Sequence, residues 1–519
     1  MKNSNRSAGL CFMLAVVGVS MIVRALVIWF TRPEFAGWFN HTYYYFVQVR
    51  GILAHGSMPY SDLPLLFYFY AAAAKGLTFL GLAPEAAIVN STRLLMSVVP
   101  ALTAVPVFFL LRTMGRGERM TLGDRLLVAA ASFLPLNLVH MPELLQKNSF
   151  GLFLFACLLA AVFSALQEFS ILRGVSIAIL LALIGVSHFG TLAVAILFFA
   201  SVAISLFVTD GLSKRTVAVL AGGIGSGVAA LSLIFLLVPE RVVRIVEYGK
   251  ANLGNSLLGK LIFEGSPIDK ILYLGAIIAP LVLLFLAIRY LRNLPVEMSP
   301  GTSTFLLANL FLAYLLVAPF FDTSLVPRFL LFLPLPAIVI FGGLFRNSGS
   351  RILRTGPAIV LALICAVMVF GEVMGTVMRN ESNRRTQTEL VRLRESGILV
   401  PGDLIVTSYG ANPACNWFLG TKSALITAVE RTDLSGRERF FVLVTETAAF
   451  DELPVDRDGD GRLSDVEKYY ASRRPIELLP EARSVFNGGD FELFELRTVP
   501  ANWKFDGEGR WIGYGEGER

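Results

Sequence analysis

The sequence predicts a polytopic α-helical membrane protein that ends in a small α/β domain. Of its 519 residues 55% are hydrophobic and 16% charged, and mean hydropathy is +0.64, a balance foreign to soluble domains. Apolar runs near the length of a bilayer span recur along the first 380 residues. Beyond about residue 380 the pattern changes to short apolar runs separated by charged and turn-forming stretches. The expected domains are therefore 1–379, membrane-embedded, and 380–519, α/β.

The apolar runs lie near 8–30, 64–82, 90–111, 126–141, 149–166, 174–187, 190–208, 216–238, 271–288, 303–321, 329–345 and 357–377. The first carries Arg24 and lacks a small-residue cleavage site, so it is expected to be a retained span rather than a signal peptide. The second begins with a proline and contains Lys75, and it is expected to lie along the interface. Charge counting supports that choice. With eleven spans and 64–82 not crossing, fourteen Lys and Arg, from Lys2 and Arg6 to Arg346, Arg351 and Arg354, fall on the inner side; if 64–82 crosses, only nine do. The expected topology has the amino terminus cytoplasmic, a long first outer loop at 31–89, and the C-terminal domain extracytoplasmic, all in the cell membrane.

Net charge is +6, yet the basic residues are scattered between apolar runs and form no stripe for nucleic acid. The four cysteines, three of them inside apolar runs, make neither a disulfide framework nor a metal-type spacing.

This topology gathers the unusual polar residues on the outer side. All four histidines, His41, His55, His140 and His188, fall there with Asp62, Glu143, Lys147 and Arg328. Ionisable groups near a bilayer commonly mark sites, although polar groups also simply end helices at the interface. Arg93, Lys147 and Arg328 are expected at amino-terminal ends of spans, where the helix dipole favours a bound anion, and together they suggest a phosphate site; snorkelling is the plainer reading of each.

The pieces "YYYFVQVRGILAHGSMPYSDLPLLFYFY", "STRLLMSVVPALTAVPVFFLLR", "LPLNLVHMPELLQKNSFGLFLF", "SHFGTLAVAIL" and "VPRFLLFLPLPAIVIFGG", taken in order, resemble the GT-C glycosyltransferases, which include protein O-mannosyltransferases, aminoarabinose transferases and oligosaccharyltransferases. The resemblance runs through most of residues 8–345. It implies transfer of a sugar from a polyprenyl-phosphate-linked donor to a glycan, lipid or protein acceptor on the outer face. It also implies an acid in the first outer loop, just before a tyrosine pair, and often another in the second. Aligned on Tyr43 and Tyr44, this chain has Asn40 and His41 at the first acid's place, which leaves Glu34, His41 and Asp62 as first-loop candidates; Glu143, in "HMPELLQKN", matches the second.

A carboxylate or neutral imidazole within hydrogen-bond reach could activate the acceptor. Arg93, Lys147 and Arg328, with His188 nearby and with or without a divalent metal, would stabilise the leaving lipid phosphate. Tyr43 and Tyr44 would stack on sugar faces, or else form an interfacial aromatic belt.

In the C-terminal domain the strand-like runs are "DLIVTSY", "SALITA", "FFVLVTE" and "FELFELR", alternating with the helical "RRTQTELVRLRES" and "DVEKYYASRR". The same domain contains "DRDGDGRLSDVE", which fits a twelve-residue calcium loop at every position: Asp456, Asp458 and Asp460 as oxygen ligands, Gly461 at the turn, the Arg462 carbonyl, Ser464 and the final carboxylate Glu467. Pro454 interrupts the segment before it, so a solitary structural EF-hand-like loop is expected rather than a paired sensor.

Two other classes stay open. A transporter would show polar or broken-helix elements at the midplane and an internal repeat, neither of which is evident. A catalytically inactive membrane binding protein of the same architecture would account for Asn40.

Overall fold

In the computed structural model, the first helix, α1 (Lys2–Thr31), shows how one apolar segment divides between bilayer and protein. Met13, Val17, Ser20, Arg24 and Ile28 are buried, at steps of three and four that make a single stripe, while Leu10, Leu14, Ile22, Leu26 and Trp29 are exposed on the other side. The structure describes residues 2–31, 42–60, 62–115, 120–134, 146–210, 299–317, 331–344, 385–400, 403–407, 411–425, 440–445, 482–489 and 491–497, with short pieces between 225 and 366. The chain divides into two units: Met1–Trp29 with His55–Val373, and Phe30–Ala54 with Met374–Arg519.

Besides α1 and α2 (Thr42–His55), the described helices before the C-terminal domain are α3 (Leu65–Phe79), α4 (Pro84–Ala101), α5 (Ala104–Met114), α6 (Leu122–Ser132), α7 (Gln146–Gln167), α8 (Ile171–Gly185), α9 (Phe189–Asp210), α10 (Pro300–Val317) and α11 (Pro334–Leu344). Among the described residues, Ser7–Trp29, Pro84–Met114, Gln146–Gln167, Phe189–Thr209 and Pro300–Val317 are long and apolar enough to cross a membrane. Leu65–Phe79, Ile171–Gly185 and Pro334–Leu344 are shorter apolar helices. Most of the runs expected at 216–238, 271–288 and 357–377 lies outside the described residues. Pro84 begins α4 where its missing N–H costs nothing, whereas Pro100 sits inside the helix, just before the break at Leu102 and Thr103 that separates α4 from α5.

Arg24 is fully buried, and α6 explains why the chain tolerates it. Its guanidinium donates to the Ser132 carbonyl, at the last turn of α6, and to Ser20 Oγ at 3.2 Å, while Ser20 Oγ also donates to Ser132 O at 3.1 Å. A cation at a helix C-terminus meets the negative end of the dipole and satisfies an otherwise orphaned carbonyl. The opposite end of α6 is closed by Thr121 and Asp124, whose side chains and backbone N–H groups bond reciprocally at 3.1 and 2.9 Å.

A chain of phenylalanine contacts runs through the leucine-rich core of this unit. Phe163 and Phe305 lie 5.0 Å apart, Phe155 and Phe198 5.9 Å, Phe198 and Phe305 6.1 Å, and Phe155 and Phe332 6.4 Å, tying α7, α9 and α10 together. Lipid is as apolar as these rings, so their contribution is close packing rather than escape from water. Small residues serve the same end: a side chain at Gly342 or Gly343 of α11 would drive into Leu111 on α5 or Leu306 on α10.

In the second unit, five strands form one sheet of order β2-β1-β3-β5-β4: β1 (Leu404–Thr407), β2 (Lys422–Leu425), β3 (Phe440–Thr445), β4 (Arg483–Asn487) and β5 (Phe491–Leu496). β1 runs parallel to β2 and β3; β5 is antiparallel to β3 and β4. A helix, α12 (Ala411–Leu419), joins β1 to β2, as a parallel connection requires. Arg50 of α2 binds the C-terminal end of α12. Its guanidinium donates to Asn416 O at 2.6 Å, Asn416 Oδ1 at 2.7 Å and Trp417 O at 3.2 Å, and lies 5.1 Å from the Trp417 ring centroid. Phe46 packs 5.1 Å from Trp417 and Tyr43 5.2 Å from Phe418, while Gln387 donates to the Tyr43 hydroxyl.

Candidate functional site

α3 buries Leu66, Phe67, Tyr70, Ala71 and Ala74, a stripe at helical spacing, and Asp62 stands three residues before its start. α7 begins with Gln146 and Lys147, both buried. Lys147 Nζ donates to Asp62 Oδ2 and lies 4.6 Å from the Phe67 ring centroid, so the ammonium has a carboxylate on one side and a π-face on another. Asp62 Oδ1 accepts the backbone N–H of Leu63 at 2.7 Å, which fixes the carboxylate. One residue before Lys147, the Gln146 Oε1 accepts from the Tyr70 hydroxyl at 2.8 Å, a second polar tie between α7 and α3.

Two further contacts bring the α8–α9 turn to this place. Leu65 N donates to Val186 O at 3.3 Å, and a Cβ added at Gly151, one turn after Lys147, would meet Thr191 Cβ at 2.9 Å. Thr191 belongs to α9, whose first turn is capped by His188: the His188 Nδ1 accepts the Thr191 N–H at 3.2 Å and lies 3.1 Å from Thr191 Oγ1. Because Nδ1 accepts, the neutral ring carries its proton on Nε2. His188 is therefore a helix cap beside the charge pair.

Among the sequence candidates, then, Asp62 and Lys147 meet, with His188 in the adjoining turn. Arg93 lies in the third turn of α4, about 13 Å along the axis from its start, and not at the helix end expected from the sequence. Its guanidinium is 6.0 Å from the centroid of the Trp29 ring on α1. Tyr43 and Tyr44 belong to the second unit, where Tyr43 packs on Phe418 and the Tyr44 hydroxyl accepts from Gln48 Nε2 at 3.0 Å. Glu34, His41, Glu143 and Arg328 lie outside the described residues, as does the whole loop Asp456–Glu467. Among the described residues no three His, Cys, Asp or Glu side chains converge. The Asp62 carboxylate is already held by Lys147 and the His188 Nδ1 caps α9, so the two do not make a metal-binding set.

A buried carboxylate bonded to an ammonium beside an aromatic ring ties α3 to α7 and is also chemically able to exchange partners. An anion that takes the lysine leaves the carboxylate able to accept a proton.

No protein-family model and no curated protein matches the chain. Solved structures do. ArnT from Cupriavidus metallidurans bound to undecaprenyl phosphate superposes with a TM-score of 0.53 at 12% identity, covering 92% of this chain and 97% of that one. The same protein in the apo state gives 0.53 and 12%, covering 94% and 98%. The chain has the ArnT fold. The likeness is one of fold, and it covers most of the chain. Within this ArnT-like fold the tie between Tyr70 and Gln146, and Phe67 beneath Lys147, were not anticipated. The available signal was position: Phe67 and Tyr70 sit at i and i+3 on α3, and Gln146 adjoins Lys147.

Proposed function

We propose that the protein is a membrane glycosyltransferase that moves a sugar from a polyprenyl-phosphate-linked donor to an acceptor, with Asp62 and Lys147 at the centre of its transfer site. The observation that carries this reading is the buried pair of those two residues in a chain of ArnT fold. The solved neighbour bound to undecaprenyl phosphate supports a phosphate-ended polyprenyl donor.

In this mechanism the donor phosphate takes the Lys147 ammonium and displaces Asp62. The freed carboxylate accepts the proton of an acceptor hydroxyl or amine as that group attacks the anomeric carbon. The bond from the anomeric carbon to the phosphate oxygen breaks, and the lipid phosphate leaves with its charge held by Lys147. Arg93 and Arg328 would add positive charge, Glu34, His41 and Glu143 remain alternative bases, and the tyrosines Tyr43 and Tyr44 are sugar-stacking candidates. The topology that accompanies this reading has eleven spans, a cytoplasmic amino terminus, and transfer on the extracytoplasmic face, with a calcium ion at 456–467 stabilising the C-terminal domain.

The test is direct. Purified full-length protein is given a polyprenyl-phosphate sugar labelled in the sugar, and release or transfer of label is followed. Turnover by the wild type and its loss in Lys147→Ala support the enzyme. Binding of the donor without turnover would instead fit an inactive binding protein.

A further inference from the structure

Pro100 stands inside α4 and has no N–H, so the Met96 carbonyl, four residues back, lacks the donor that the helix would otherwise give it. On α7, Gln146 is 3% exposed, its Oε1 accepts from the Tyr70 hydroxyl at 2.8 Å, and its Nε2 has no hydrogen-bond partner among the described residues. A buried amide donor left so is costly, and few are retained without use. Met96, Pro100 and Gln146 border one cavity between α3, α4 and α7, with Tyr70 and Ser149 also on its walls, in which the centre of a water-sized sphere has about 10 Å³ to occupy. That is the room one water needs.

We infer that this cavity is a binding site for a single ordered water, which accepts from Gln146 Nε2 and donates to the Met96 carbonyl. The hydroxyls of Tyr70 and Ser149, on the same walls, complete the set of polar partners that a buried water keeps. The size of the cavity excludes a lipid chain or any other organic ligand. Its walls exclude an ion, because none of the described residues lining it is charged and a bare charge there would be prohibitively costly. Cavities of this kind stay dry where their walls are wholly apolar, whereas here a donor on α7 and a carbonyl on α4 meet the same space. A proline inside a membrane helix is tolerated where a neighbouring helix or an ordered water satisfies the carbonyl it frees, and this water is the group that does so. It joins the end of α4 to the first turn of α7, one residue from Lys147. The inference requires no turnover and stands apart from the transfer reading.

The experiment uses the full-length protein in lipid nanodiscs exposed to brief X-ray pulses, which split water into hydroxyl radicals that oxidise the side chains beside the water that made them. Oxidised positions are mapped by mass spectrometry, each rate being divided by the intrinsic reactivity of its side chain. Tyr70 and Met96 should oxidise well above Phe163 and Met13, which are buried to a similar depth away from this cavity. Gln146→Leu replaces the amide with an apolar wall, and the excess should be lost. Pro100→Ala gives the Met96 carbonyl a backbone donor of its own, and the excess should fall. A stability cycle checks the bridge without radicals: the drop in unfolding midpoint caused by Gln146→Leu should be smaller in the Pro100→Ala background than in the wild type, because both changes break the same link. Should Gln146→Leu fail to fold, the wild-type comparison and Pro100→Ala still decide. The inference is overturned if Tyr70 and Met96 oxidise no faster than Phe163 and Met13 in the wild type, if the excess survives in folded Gln146→Leu or is untouched by Pro100→Ala, or if the two midpoint losses are strictly additive.

Discussion

Lys147 bonds to Asp62 across 85 positions of sequence, and both side chains are almost wholly buried. Each depends on the other, because removing one partner leaves an uncompensated buried charge at a cost of about 3–5 kcal/mol, whereas replacing both by apolar groups can be neutral. Lys147→Met and Asp62→Leu, each alone, should therefore lower the unfolding midpoint in detergent clearly, and the double variant should recover most of the loss. All three should lack transfer. Additive destabilisation in the double variant would show that the two residues do not act as a pair, and full transfer in the double variant would remove them from the mechanism.

Much of this was readable from the sequence. Apolar run length located the described membrane helices, since hydrophobicity over about twenty residues is a strong signal. Four of five strands in the C-terminal domain were recognisable because β1, β2, β3 and β5 are apolar runs bounded by turn residues. β4, "RSVFN", was missed: it is a mostly exposed edge strand whose residues have no buried face to alternate against. Lys147 and Asp62 each stood out as charges near a span, but nothing in one-dimensional spacing could say that they would meet. Arg93 was assigned to a helix end because the apolar run starts near 90, while Pro84 starts the helix two turns earlier. The grouping of α2 with the C-terminal domain was likewise invisible, because it rests on the contacts of Arg50 and Phe46 with Trp417.

Those contacts give a second prediction. The Arg50 fork satisfies two backbone carbonyls at the end of α12 and stacks on an indole, a geometry a lysine does not reproduce. Arg50→Ala should destabilise the second unit by about 1–3 kcal/mol, and Arg50→Lys should recover little of it. Trp417→Ala should show less than additive loss when combined with Arg50→Ala, because the two share one contact. Protease susceptibility of 385–497 in the full-length protein measures this; wild-type resistance in Arg50→Ala would mean that α2 is held in some other way.

Cys415 supplies a pH dependence. It is fully buried on α12, and burial pushes its thiol up from 9.0 to about 12. Below pH 9 the thiol is protonated in both folded and unfolded chains and adds no slope. Between about 9 and 12 the unfolded chain loses the proton while the folded one keeps it, so the unfolded state binds fewer protons and stability falls as pH rises, by at most about 1.4 kcal/mol per pH unit. The unfolding midpoint of the second unit should therefore drop more steeply from pH 9 to 11 in the wild type than in Cys415→Ala. At pH 8 a water-soluble alkylating reagent should spare Cys415 in the folded protein and reach it only after unfolding. Parallel pH profiles for the two proteins would mean that the thiol titrates normally.

The calcium site proposed at 456–467 makes the last prediction, and it is read from the ligand chemistry of the sequence alone. Asp456, Asp458, Asp460 and Glu467 put four carboxylates within twelve residues, and when no cation is present they repel one another. A bound calcium relieves that repulsion only in the folded arrangement, so occupancy adds stability as RT ln(1 + [L]/Kd), about 2.7 kcal/mol at a hundredfold excess over Kd. The unfolding midpoint of the second unit in the full-length protein should rise with calcium and much less with magnesium, whose small octahedral shell suits a loop of this length poorly. Glu467→Gln removes the final carboxylate and should abolish most of the rise. Because the Arg50 contacts tie α2 to the same unit, calcium should also protect α2 from proteolysis, an effect that Arg50→Ala would uncouple while leaving the midpoint shift in place. A midpoint insensitive to calcium in the wild type would reduce the loop to an acidic turn, whatever its resemblance to a metal site.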